Sequence, residues 1–173
     1  MSTAEKIATQ ERADLLETLN KHRYFLRFTT RDLSDEQAAQ RTTTSALCLG
    51  GLIKHVALVE RNWMNFVLGG AEGMSAGAGN AEANWEDGHK MLPGETLAGL
   101  LAIYEETARK TDEIVASLPD LDASHPLPEA PWFEPGASWS DRRVLLHIIA
   151  ETAQHAGHAD IIRESLDGAR SMG

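Results

Sequence analysis

The sequence predicts an all-α fold: a four-helix bundle with long crossover loops. Three observations predict it. Four long segments repeat apolar residues at three- and four-residue spacings. Two long connections, 69–92 and 119–139, separate the later segments. The alternating apolar and polar pattern of a half-buried strand is almost absent.

The first helix is expected over Gln10–Thr30, where Leu15, Leu16, Leu19, Phe25 and Leu26 form the apolar stripe. His22 lies between Lys21 and Arg23 and reads as a surface residue. Ser34 and Gln37 have the spacing of a capping box, so a short helical turn is expected over Ser34–Ala39. The polar, β-branched run Arg41–Ser45 is a linker, with Thr44 or Ser45 as the cap of the next helix.

The second long helix is expected over Ala46–Leu68, with Leu52, Val56, Val59, Trp63 and Phe66 on one arc. His55 falls inside or at the margin of that arc; a lone His there is ordinarily a core residue bonded to a carbonyl. Gly50-Gly51 costs helix propensity, which predicts a close approach of another backbone or of a ligand. Cys48 reads as a small core residue rather than a nucleophile.

Gly69–Leu92 is read as a loop, rich in glycine and alanine, long enough to be functional. Trp85 within it suggests a lid, an interface anchor or simple packing over the bundle end. His89 has no sequence neighbour that marks it out. The third long helix is expected over Gly94–Ser117 and is stopped by Pro119. It holds no His, so it contributes packing rather than ligands. The second connection contains or borders five of the six prolines and is therefore stiff. His125, before Pro126, is expected to be exposed, and Ser138 with Asp141 offers a capping box for the last helix.

That last helix, Ser140–Gly168, carries His147, Glu151, His155 and His158. Glu151 and His155 are four residues apart, so they share a face with Val144 and Ile162. A carboxylate inside an apolar stripe is costly unless its charge is compensated. A buried Arg or Lys would do this, and so would a metal ion. Neighbouring imidazoles favour the metal.

The 173 residues suffice for one domain, expected to span 1–173. The formal net charge of −10 argues against nucleic acid and against an anionic membrane surface. One cysteine permits no internal disulfide, and the N-terminal stretch has charges where a leader needs an apolar core. With no run long enough to span a membrane, the expectation is a cytoplasmic protein with a small-molecule partner.

Two short motifs carry a resemblance. Leu52-Ile53-Lys54-His55-Val56-Ala57, followed by Trp63, is similar to the first signature of the DinB-like superfamily. Glu151-Thr152-Ala153-Gln154-His155-Ala156-Gly157-His158-Ala159-Asp160 is similar to the second. The superfamily includes the mycothiol-dependent maleylpyruvate isomerase type, which has Glu, as here, where other members have His. The resemblance spans essentially the whole chain. It implies a four-helix bundle holding a divalent metal through His55, Glu151 and His155. It also implies a low-molecular-weight thiol such as mycothiol as cosubstrate, and a homodimer. Two His and one carboxylate suit zinc with an open coordination position, and the ligand types also admit nickel, iron or manganese. His158 matches a His that often follows the pair; it is assigned to proton handling, or to support of the ligands. His147 is expected to be packed or half-exposed.

The function expected from this is a metal-dependent, thiol-dependent S-transferase or isomerase acting on a small electrophile. Two other readings use the same residues. One is a hydrolase working through metal-bound hydroxide. The other is a non-enzymatic binding or dimerisation module in which Arg142 or Arg143 of a second chain neutralises Glu151.

Overall fold

A computed structural model describes residues 3–76 and 87–172 of the chain. The fold is all-α. Its helices are α1 (Thr3–Phe28), α2 (Asp35–Ala39), α3 (Leu49–Ala76), α4 (Leu97–Ser117) and α5 (Asp141–Asp167). The four long helices pack in a ring: α1 on α5, α5 on α3, α3 on α4 and α4 on α1. Among the described residues, no helix is long and apolar enough to cross a membrane.

Local chemistry sets several boundaries. Ser34 and Gln37 form the expected capping box of α2. Asp35 Oδ1 accepts from the backbone N–H of Leu97 at 2.7 Å, so α2 also satisfies a donor at the start of α4. Helix α4 is capped by Thr96 and ends at Leu118, before Pro119. At the end of α5, Gly168 adopts φ 81°, the left-handed conformation that glycine takes without strain.

Several expected boundaries move. Helix α3 starts at Leu49 rather than Ala46, after a bend over 43–46. The N-cap of α5 is Ser140, whose side chain accepts from Arg143 N, and not Ser138. Ser138 instead opens a two-stranded antiparallel ribbon, β1 (Ser124–Pro126) with β2 (Ser138–Ser140), which pairs His125 with Trp139. And α3 does not stop at Leu68. It kinks at Gly69 and Gly70 and resumes to Ala76; Gly70 has φ 61° and ψ −153°, open to glycine. A Cβ at Gly73 would overlap the carbonyl of Asn65, so the kink folds the helix end tightly on itself. Trp85 and the central part of that expected loop lie outside the described residues.

The core has two apolar clusters. One gathers Leu26 from α1, Leu52 and Val56 from α3, Leu100 from α4 and Ile162 from α5. The other gathers Leu19, Phe66, Val115 and Ile148 from the same helices. Each helix passes through both. The order along the chain therefore fixes α1 and α5 in one direction, and α3 and α4 in the other. Parallel neighbours α3 and α4 need a long return, which is why residues between 76 and 97 are numerous.

Between the clusters lies a polar layer. Arg23 pairs with Glu60, both buried, and reaches Asp112 at 2.9 Å. Thr107, Thr111 and Thr152 are buried at the same level. The Thr152 hydroxyl donates back to the Ile148 carbonyl at 2.8 Å. His22, expected on the surface, is half-buried, with its ring 6.5 Å from Phe25.

Candidate metal centre

Helices α3 and α5 run antiparallel and bring His55 opposite His155. Their ring centroids are 4.8 Å apart, with planes at 76°. One turn back along α5, Glu151 Oε2 lies 3.4 Å from His155 Nε2. One ligand atom from each of His55, Glu151 and His155 falls within 4.8 Å of the others. Three donors on a shared zinc, each about 2.0–2.2 Å from it, would lie slightly closer together.

The electrostatics suit the donor set. Burial, with His89 and His155 nearby, lowers the His55 pKa to about 4, so its ring is neutral at pH 7. The hydrogen bond from His155 lowers the pKa of Glu151, which is therefore ionised. The neutral His55 ring and the ionised Glu151 carboxylate are in the forms that bind metal.

Glu151 also shows how its charge is met. Among the described residues its ionic partners are imidazoles only: His155, and His147 with Nε2 4.0 Å from Oε1. The arginines considered as neutralisers are engaged within the chain. Arg142 pairs with Glu11 and Asp122, and the guanidinium of Arg143 lies 4.8 Å from the Trp139 ring centroid. Neither meets Glu151. The carboxylate keeps 29% exposure, so the centre is open on one side.

His158 stays outside the three-donor group. Its Nδ1 is 3.3 Å from His155 Nδ1, on the far side of that ring from Glu151. Which nitrogen donates depends on the tautomers. His147 is half-buried, as expected. Trp63 and Trp139 stack on one another at 4.8 Å and 13°, and each meets the His147 ring nearly edge-on, at 4.9 and 5.2 Å. Burial lowers the His147 pKa. The chain 147–151–155–158 thus forms one ladder along α5, with an aromatic wall at its first rung.

Two histidines depart from their expected places. His125 is half-buried rather than exposed, with its ring 5.7 Å from Phe66, because the β1–β2 ribbon folds back onto α3. His89, which nothing in the sequence marked out, stacks on His55 with centroids 3.9 Å apart and planes at 26°. The signal that pointed to it was Gly50-Gly51. A Cβ at Gly51 would overlap the carbonyl of His89, so the backbone approach expected at these glycines is made by His89. Cys48 is buried as expected, its Sγ 4.0 Å from the same carbonyl oxygen.

A ring of long antiparallel and parallel helices, with two imidazoles and a carboxylate converging from facing helices, defines a class: helical proteins with a candidate three-residue metal centre. The chain belongs to the mycothiol-S-transferase family, whose model matches residues 14–168 and so includes every residue of this centre. Membership supports a thiol-dependent transferase with a thiol cosubstrate. The comparison with curated proteins found no match.

Proposed function

We propose that the chain is a metal-dependent S-transferase or isomerase that joins a low-molecular-weight thiol, such as mycothiol, to a small electrophile. The carrying observation is the convergence of His55, Glu151 and His155, with no Arg or Lys paired to Glu151 among the described residues. The donor set suits zinc first, with nickel, iron and manganese compatible by ligand type. When bound, a divalent ion lowers the pKa of a coordinated thiol, so that thiolate forms near neutral pH.

The chain's own residues do the rest. His55 and His155 donate as neutral rings, and Glu151 brings the one negative charge. With a metal held at His155 Nε2, the Nδ1 proton would be donated to His158 Nδ1, which would fix the ring's tautomer and angle. The 3.3 Å contact supports this supporting role for His158. Thiol and electrophile would approach from the exposed side of Glu151. The thiol gives its proton to a base and its sulfur bonds to the electrophilic carbon, while the electron pair displaced there departs with a leaving group or moves out of a double bond onto an atom that then takes a proton. A conjugate results, or an isomer if the thiol is later expelled. Such chemistry fits a cytoplasmic protein with a small-molecule partner.

The test is metal content by inductively coupled plasma mass spectrometry on untagged protein, compared with His55→Ala and Glu151→Gln. About one ion per chain, lost in both variants, is expected. A screen of thiols against electrophiles should then show turnover that needs both metal and thiol. Turnover without thiol would point to the hydrolase. No metal after reconstitution with zinc or nickel would remove the catalytic reading.

A further inference from the structure

The segment after residue 86 is held against α3 at two places. At the first, α3 has no side chains where the segment crosses. A Cβ at Gly50 would overlap the Met91 side chain, and one at Gly51 would overlap the His89 carbonyl. At the second, Glu95 bridges: its Oε1 takes Lys54 Nζ at 2.7 Å and its Oε2 takes the Leu92 N–H at 2.7 Å. Lys54 immediately precedes His55. Both attachments thus lie on α3 within the five residues before His55.

One residue beyond Lys54, the His89 ring lies face-on over His55, 3.9 Å away at 26°. His155 meets the same ring edge-on at 4.8 Å and 76°. His55 is therefore confined on one face and one edge. An imidazole free to swing about its last torsion has a broad, two-fold preference. One clamped between two rings presents a single nitrogen direction. The ring nitrogens of His89 do not join the three-donor group, so His89 is placed to hold a ligand rather than to be one.

We propose that His89 is a positioning residue for the metal centre: its ring, seated by the Gly50-Gly51 notch, stacks on His55 and fixes the direction in which His55 offers its nitrogen. The inference rests on the metal-site reading above. It assigns the work to the face of the His89 ring and not to its nitrogens.

The experiment is cobalt(II) titration of the full chain, following both affinity and the visible d–d spectrum. It compares wild type with His89→Phe, His89→Leu and Gly51→Ala. Phe and Leu both fill the space, but only Phe supplies a planar face. His89→Phe should bind cobalt like the wild type with an unchanged spectrum. His89→Leu should bind about tenfold or more weakly, the scale of lost ligand-orienting contacts, with a shifted spectrum. Gly51→Ala, which drives the segment off α3, should follow His89→Leu, and the double variant should be no weaker than either. Equal binding by wild type, Phe and Leu variants overturns the proposal. So does equal loss in the Phe and Leu variants, which would assign the effect to the nitrogens. A wild type that binds no cobalt instead overturns the metal-site reading itself.

Discussion

Arg23 and Glu60 form an ion pair across the middle of the helix ring, with both side chains almost wholly removed from water. The pair sits between two apolar clusters and reaches across the ring from α1 to α3. A charge in such a place is tolerated because its partner is present. Removing Arg23 leaves the buried Glu60 uncompensated, at a cost of about 3–5 kcal/mol, whereas removing Glu60 leaves Arg23 still paired with Asp112. Arg23→Met should lower the urea midpoint strongly, and Glu60→Gln should lower it less. The double change Arg23→Met with Glu60→Leu should recover most of the loss. Additive losses in the double variant would show that the two residues do not act as a pair.

The centre itself predicts a charge effect. Glu151→Gln preserves shape and removes the one negative charge of the proposed ligand set. Zinc affinity should fall by well over tenfold while the melting temperature of the metal-free protein changes little. Isothermal titration calorimetry with zinc, beside a thermal melt in chelator, separates the two.

His158 has a distinguishable role. As the partner of His155 Nδ1, its loss should weaken metal binding by about 10–100-fold. At saturating metal, His158→Ala should keep a kcat close to wild type. A kcat loss of about 10²–10⁴-fold at full metal occupancy would instead identify general acid–base catalysis.

The metal-free protein should weaken in mild acid. His55 titrates at about 4 in the fold and near 6.5 when exposed, because burial disfavours its charged form. Between these values the unfolded chain holds the extra proton. Stability is thus fully present above pH 6.5 and is lost as pH falls towards 4. The loss is of the order of 3 kcal/mol for His55 alone, at 1.36 kcal/mol per unit. Burial lowers the His147 pKa and adds in the same direction. Urea midpoints measured in chelator from pH 8 to pH 4 check this. His55→Phe should flatten the slope between pH 6.5 and 4.

Arg163 is a structural counterpart to these. Though buried, it donates to the carbonyls of Thr29 and Arg31 at 2.7 and 2.8 Å, just past the end of α1. Hydrogen bonds to a charged group contribute about 1.5–3 kcal/mol. Arg163→Met should destabilise by roughly that amount and leave zinc affinity unchanged. Denaturation and titration on the same sample give both readings.

What the chain determines by itself is what lies within a turn or two of helix. Glu151 and His155 meet because four residues make about one turn. The Ser34–Gln37 box and the Pro119 stop are likewise local. The Gly50-Gly51 pair announced a close approach, since two glycines in a helix have few other uses. Tertiary structure decided who makes that approach. His89 is 34 residues beyond His55 in the numbering, and the glycine- and alanine-rich stretch before it has no periodicity to say where it returns. The burial of His125, the pairing of Arg23 with Glu60 and the continuation of α3 past its glycines are decisions of the same kind. Each depends on which faces touch once the helices have packed, and a periodic pattern specifies that a face is buried without specifying against what.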